Sequence, residues 1–111
     1  MEVKATAKQI GISARKVRLV VDAIRGRKVD EALSILRFMP TPAAREVAKV
    51  VRSAAANAEN NFQMAISDLR IVRAQADEAR TMKRFRARAR GRMSPILKRA
   101  SHITVAVAEE E

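Results

Sequence analysis

Cysteine is missing from all 111 residues. That excludes a disulfide framework and any cysteine-based metal site. Tryptophan and tyrosine are missing too, and only Phe38, Phe62 and Phe85 are aromatic. A buried core must then be assembled from Ala, Val, Ile, Leu and Met. Three glycines and three prolines leave no material for a flexible linker, and no repeat of longer period is present. No apolar run approaches the roughly 20 residues of a membrane span. A Gly-rich phosphate loop, a nucleophile elbow and zinc-ligand spacing are all missing. Acids are scarce: 12 against 23 Lys and Arg, for a net charge of +11 and a pI near 11.4. That balance points to nucleic acid first and to an anionic membrane second.

The charge is concentrated. Between Arg80 and Arg99 stand nine cations and no acid, namely Arg80, Lys83, Arg84, Arg86, Arg88, Arg90, Arg92, Lys98 and Arg99. The other 91 residues sum to only +2. Arg84 to Arg92 carries arginine at every second position. A strand places alternate side chains on one face, whereas a helix scatters them. An extended ribbon sets such guanidiniums about 6.6 Å apart, near the phosphate spacing of a nucleic-acid strand. The comb has no role in a protein core and calls for an anionic partner.

The flanking patterns frame it. Val3, Ala5 and Ala7 alternate with polar residues, as in a half-buried strand. Past Gly11, Ser13 stands as an N-cap ahead of Val17, Val20, Val21 and Ile24 at helical spacing, with Gly26 as the stop. A second helix is expected from Asp30 as N-cap to Pro40. Thr41 and Pro42 open a third, with the stripe Val47, Val50, Val51, Ala54, Ala55, Ala58, closed by Asn60-Asn61. From Leu69 the period becomes two. Val72, Ala74 and Ala76 are expected to face one way and Arg73 and Gln75 the other, with Leu69 and Ile71 blurring the alternation. Ile103, Val105 and Val107 form a last strand. A structureless loop from Asp77 to Ser101 is too long for a small domain. Both strands are therefore expected to run outward as one long antiparallel hairpin, its tip near Arg88 to Arg92, projecting roughly 35 Å. The length suits one small domain. It is read as a globular core over about 1–78 and 100–108 with a basic arm over about 79–99. Such an arm is marginal by itself and is held by what it binds.

Other candidates carry less. Arg15, Lys16, Arg18, Arg25, Arg27 and Lys28 make a second basic cluster, which a solvated helix face also explains. His102, the single histidine, has no metal-ligating company and reads as a packed or hydrogen-bonded strand residue. Asp77 and Glu78 read as charge compensation at the root of the arm, not as an acid/base pair. Met39 and Met64 suit core gaps, and Met82 and Met93 suit packing along the arm.

Five blocks, in order, resemble one family. They are Ser13-Ala-Arg-Lys-Val-Arg-Leu-Val-Val-Asp-Ala-Ile-Arg-Gly26; Ser53-Ala-Ala-Ala-Asn-Ala58 with Asn61; Met82-Lys-Arg84; Arg88-Ala-Arg-Gly-Arg92; and Lys98-Arg-Ala-Ser-His-Ile-Thr-Val105. Together they are similar to the bacterial large-subunit ribosomal protein twenty-two family. The resemblance implies an α+β fold, with three helices packed on a small antiparallel sheet and a long protruding β-hairpin. It implies large-subunit rRNA as partner, contacted by Arg15, Lys16, Arg18, Arg25, Lys28, Arg80, Lys83, Arg84, Arg86, Lys98 and Arg99. It implies a tip of Arg88, Ala89, Arg90, Gly91 and Arg92 lining the nascent-peptide exit tunnel. Ala79-Arg80 stands where the family commonly has Gly-Pro, and Ala87 where it commonly has Pro before the tip. Two rigid φ constraints are lost there.

The expected function is thus a structural constituent of the large ribosomal subunit, cytoplasmic and within the ribosome, bridging rRNA domains during assembly. Its expected partners are rRNA, neighbouring ribosomal proteins and, transiently, the nascent polypeptide. No cofactor, metal, membrane, homo-oligomer or enzymatic activity is expected. The chain begins directly in a strand pattern, so neither signal nor transit peptide is expected. The alternative is a general nucleic-acid-binding or chaperone protein outside the ribosome. A membrane-active role for the arm lacks the Trp/Leu face that interfacial insertion needs.

Overall fold

Alternation drives the first strand, β1 (Val3–Ile10). Val3 and Ala5 turn inward and Glu2, Lys4 and Thr6 turn out. The pattern breaks between Ala7 and Ile10, where the pairing register shifts and Gln9 adopts φ 55°. We describe the chain from a computed structural model covering residues 2–87 and 93–109, with the backbone alone over 82–87 and 93–96.

Ser13 opens α1 (Ala14–Ile24) in extended conformation. It caps through its carbonyl, which accepts from the Lys16 and Val17 amides, and its hydroxyl makes no capping bond. The buried residues Ala14, Val17, Val20, Val21 and Ile24 form the expected stripe. The helix α2 (Val29–Phe38) starts two residues earlier than the sequence suggests. Lys28, not Asp30, is the N-cap, and Asp30 and Glu31 fall in the first turn, where carboxylates favour the positive end of the helix dipole. Val29 is fully buried, and seating it in the core draws it into the helix. At the start of α3 (Pro42–Phe62) the Thr41 Oγ1 accepts from the Ala44 amide at 3.2 Å, with proline at the first helical position. The helix passes Asn60-Asn61 and stops when Gln63 turns left-handed (φ 54°), so that the Met64 amide reaches back to the Ala58 carbonyl.

After a short 3-10 turn at Ile66–Asp68, β2 (Leu69–Glu78) pairs antiparallel with the last strand, β5 (Ser101–Glu109), which pairs in turn with β1. The sheet order is β1-β5-β2. A bulge in β2 between Ile71 and Arg73 corrects the expected alternation. Leu69 and Ile71 face the core, the extra residue Val72 is turned out and 43% exposed, and Ala74 and Ala76 face in again. Val72 is therefore no core residue.

β3 (Met82–Ala87) and β4 (Met93–Lys98) form a separate antiparallel ribbon in series with the sheet. Pairing resumes at Met82↔Lys98 after ending at Glu78↔Ser101. Residues 79–81 thus face only residues 99–100, and one residue in excess shifts the register. A single backbone bond, Ala79 amide to Ala100 carbonyl at 3.0 Å, spans the interruption. The hairpin is present but is not one uninterrupted ladder. The expected tip, 88–92, lies outside the described residues.

One face of the sheet carries the core. α3 packs on β1 and β5, α1 on β2, and α2 on α3. Ala and Val dominate the interior, joined by Ile24, Leu36, Leu69, Ile71 and Ile103, while Met39 and Met64 fill its margin. Three helices against a small antiparallel sheet are an α+β fold, and the small side chains of α3 let it lie close to the strands.

Candidate nucleic-acid interface

Because α1 buries one stripe, its cations are forced onto the remaining surface. Arg15, Lys16, Arg18, Arg25 and Lys28 are all exposed. They differ in what else they do. Arg18 donates from Nε to the Ala76 carbonyl at 3.0 Å. Arg25 donates from Nε and Nη2 to the Ala74 carbonyl at 3.2 and 2.8 Å and pairs through Nη1 with Asp22 at 2.8 Å. Ala74 and Ala76 lie on β2, an edge strand. Just beyond the helix, the Gly26 amide donates to the Ile71 carbonyl at 3.0 Å, and the Ile71 amide donates to the Arg27 carbonyl at 2.9 Å. The helix and its exit thereby cap an edge that otherwise presents unpaired backbone groups. Arg18 and Arg25 are structural clasps whose charge still faces solvent, a role the charge pattern did not reveal.

At the N-terminal end of α1 the geometry is different. Arg15 and Lys16 stand in the first turn, where the helix dipole is already positive, and no acid accompanies them. Two repelling contributions of about 0.3–1 kcal/mol each are kept there, and a bound anion relieves both. Across a cleft of about 700 Å³ stands the root of the ribbon, with Arg99 joining Arg15, Lys16 and Arg18 and with Glu78 the one acid in its lining. Lys98 enters the adjoining groove, of about 680 Å³, beside Lys16 and Arg99.

The fold therefore assembles Arg15, Lys16, Arg18, Lys98 and Arg99, some 80 residues apart in sequence, into one basic surface. Arg25 and Lys28 sit at the other end of α1, about 15 Å away along an axis rising about 1.5 Å per residue. Arg80 is exposed at the interruption. Lys83, Arg84 and Arg86 follow on β3, where the backbone is described. Arg88, Ala89, Arg90, Gly91 and Arg92 lie outside the described residues.

Two residues escaped the sequence reading. Leu19 is 72% exposed and Leu97 44%, and both line the groove that holds Lys16, Lys98 and Arg99. The available signal was that Leu19 falls off the α1 stripe. His102 accepts at Nδ1 from the Gln9 amide at 3.1 Å, which pins the irregular end of β1 and matches a structural reading. Among the described residues no group of three or more His, Cys, Asp or Glu is placed to hold a metal ion. No helix there is long and apolar enough to cross a membrane.

The family model for ribosomal protein L22p/L17e matches residues 5–108, from β1 through both strands of the ribbon to the end of β5. This chain belongs to the ribosomal protein L22p/L17e family. Among similar curated proteins, the large ribosomal subunit protein uL22 of Dehalococcoides mccartyi is 64% identical over 109 residues, covering 98% of this chain and all of that protein. The large ribosomal subunit protein uL22 of Pediococcus pentosaceus is 56% identical over 108 residues, covering 97% of this chain and 92% of that one. Membership of the L22p/L17e family gives the basic surface a context: its cations sit where the helical layer meets the root of the ribbon.

Proposed function

We propose that this chain is a structural constituent of the large ribosomal subunit, cytoplasmic and within the ribosome, and not an enzyme. It binds large-subunit rRNA, and its globular part, about 1–78 with 100–108, anchors an arm over about 79–99. The observation that carries this reading is the convergence of Arg15, Lys16, Lys98 and Arg99 at the base of a ribbon whose sequence continues the same charge. Phosphate neutralisation and counterion release supply most of the affinity, and the RNA is recognised by its folded shape. The arm, with Arg80 at its root and Lys83, Arg84 and Arg86 along its first strand, bridges RNA segments brought together by rRNA folding. Arg88 to Arg92 at its end line the exit tunnel and meet the nascent polypeptide. Neighbouring ribosomal proteins complete the partners.

Sedimentation of the tagged protein on a sucrose gradient, repeated after a high-salt wash, tests this reading. Retention with the large subunit through the wash is expected, because a threaded arm is held by topology as well as by charge. Loss in the wash, or equal affinity for random duplex DNA, favours a general polyanion binder instead.

A further inference from the structure

The apolar side chains of the groove beside the basic cleft have no role in phosphate binding as such. Leu19, Pro42 and Leu97 line it, and Leu19 and Leu97 stand exposed, one from α1 and one from β4. Phe38, Phe62 and Val72 are exposed elsewhere on the chain, but Leu19 and Leu97 share one groove, and apolar residues gathered in a groove with a polar rim mark a surface that something covers. The charged groups in its lining are Lys16, Lys98 and Arg99, and no acid joins them. Lys16, Leu19 and Arg99 also line the basic cleft, so the two depressions are continuous. An acidic protein segment satisfies the charges, but it leaves unexplained why the groove opens into a second basic surface. A nucleic-acid strand satisfies both, with backbone running along the cations and an apolar ring face meeting the leucines.

We propose that this groove receives a single unstacked nucleotide of the bound RNA, its base lying on Leu19, Pro42 and Leu97 and its flanking phosphates on Lys16, Lys98 and Arg99. The proposal rests on the RNA-binding reading above. Single-stranded loops and bulges offer such splayed bases, and proteins usually seat them on aromatic or arginine planes. This chain has no Trp or Tyr, and aliphatic side chains take that place. An aliphatic seat offers no edge-specific hydrogen bond, so it accepts a base by shape and tolerates its identity. At about 680 Å³ the groove falls in the range of about 300–1,000 Å³ usual for small-molecule sites and accommodates one nucleotide with its sugar.

The test uses large subunits assembled with the full-length chain, in which position 19 carries either Leu, the substitution Leu19→Ser, or a benzophenone amino acid. Leu19 is exposed, so neither change threatens the core. The benzophenone is expected to crosslink to rRNA at one or two neighbouring nucleotides. In subunits carrying L19S those same nucleotides are expected to gain reactivity several-fold toward dimethyl sulfate or a 2′-hydroxyl acylating reagent, while the protein stays bound. A second variant, Lys98→Gln, is expected to raise reactivity at the same place. A crosslink to a neighbouring protein with no change in RNA reactivity overturns the nucleotide seat and makes the groove a protein interface, leaving rRNA binding intact. Absence of the wild-type chain from the subunit overturns the RNA-binding reading itself, and the two failures are distinct.

Discussion

At the scale of single residues, backbone conformation and polar satisfaction set the expectations. Gly26 adopts φ +81°, with nothing within 4 Å of where a Cβ would stand. Gly26→Ala therefore meets no clash but carries left-handed strain, and a loss of about 1 kcal/mol is expected. Gly11 has the same open surroundings and no positive φ. Gly11→Ala is expected to be neutral or to stabilise by about 0.5 kcal/mol through the unfolded chain. Urea unfolding of the two variants side by side checks the contrast, and equal effects contradict it. Ser101 poses a different question. It is fully buried in β5, and its hydroxyl has no hydrogen-bond partner. Removing an unsatisfied buried hydroxyl while keeping the Cβ costs little. Ser101→Ala is expected to raise stability by up to about 1 kcal/mol, and a loss beyond about 1 kcal/mol shows a satisfied hydroxyl.

At the scale of elements, the noteworthy contact is α1 against the free edge of β2. Its guanidinium bonds reach backbone carbonyls, so they depend on fork geometry and not on charge alone. Arg25→Lys keeps the charge but cannot reproduce two bonds to Ala74 together with the Asp22 pair. It is expected to lower unfolding stability by about 1 kcal/mol while leaving the salt dependence of RNA binding unchanged. Lys16→Gln makes no such loss and is expected to lower the salt slope by about one while stability holds. Identical profiles for the two variants contradict the division between clasp and phosphate contact. Much of this level was legible beforehand. Hydrophobic stripes in α1 and α3 and the Thr41-Pro42 start fix those helices locally, because periodicity and capping are properties of adjacent residues. What escaped depends on partners distant in sequence. Val72 turns outward only because β5 imposes a bulge, and Arg18 and Arg25 become clasps only because β2 ends the sheet beside them. The interruption at Ala79–Thr81 likewise follows from a residue count across two strands, which neither strand reveals alone.

For the whole molecule, the proposed function raises the question of how charge is divided between holding RNA and facing the tunnel. The cations at the root of the arm occupy a surface shaped by α1 and the end of β4. In the proposed RNA complex a phosphate strand there is neutralised from several sides. Arg88, Arg90 and Arg92 were identified from their spacing and from the family resemblance, not from their surroundings. In the proposed placement the arm's end meets RNA on one side and the aqueous tunnel on the other. With one side open on the tunnel, not all three arginines reach phosphate, and those facing the tunnel set a positive potential for a passing chain. That potential acts within a Debye length of about 8 Å at physiological salt, which suits a narrow passage. Removing one anchor among many cations changes assembly little, whereas reversing a charge at the lumen changes the local field outright. Arg90→Glu or Arg92→Glu is therefore expected to alter stalling of charged nascent peptides by severalfold while subunit yield on gradients stays near wild type. Lys16→Gln combined with Arg99→Gln is expected to do the reverse, slowing assembly and leaving stalling unchanged. Toeprinting of stalled complexes beside gradient profiles of the same strains separates the two. Normal stalling with failed assembly in the Arg90 variant would place that residue on RNA and move the tunnel-facing charge elsewhere in the arm.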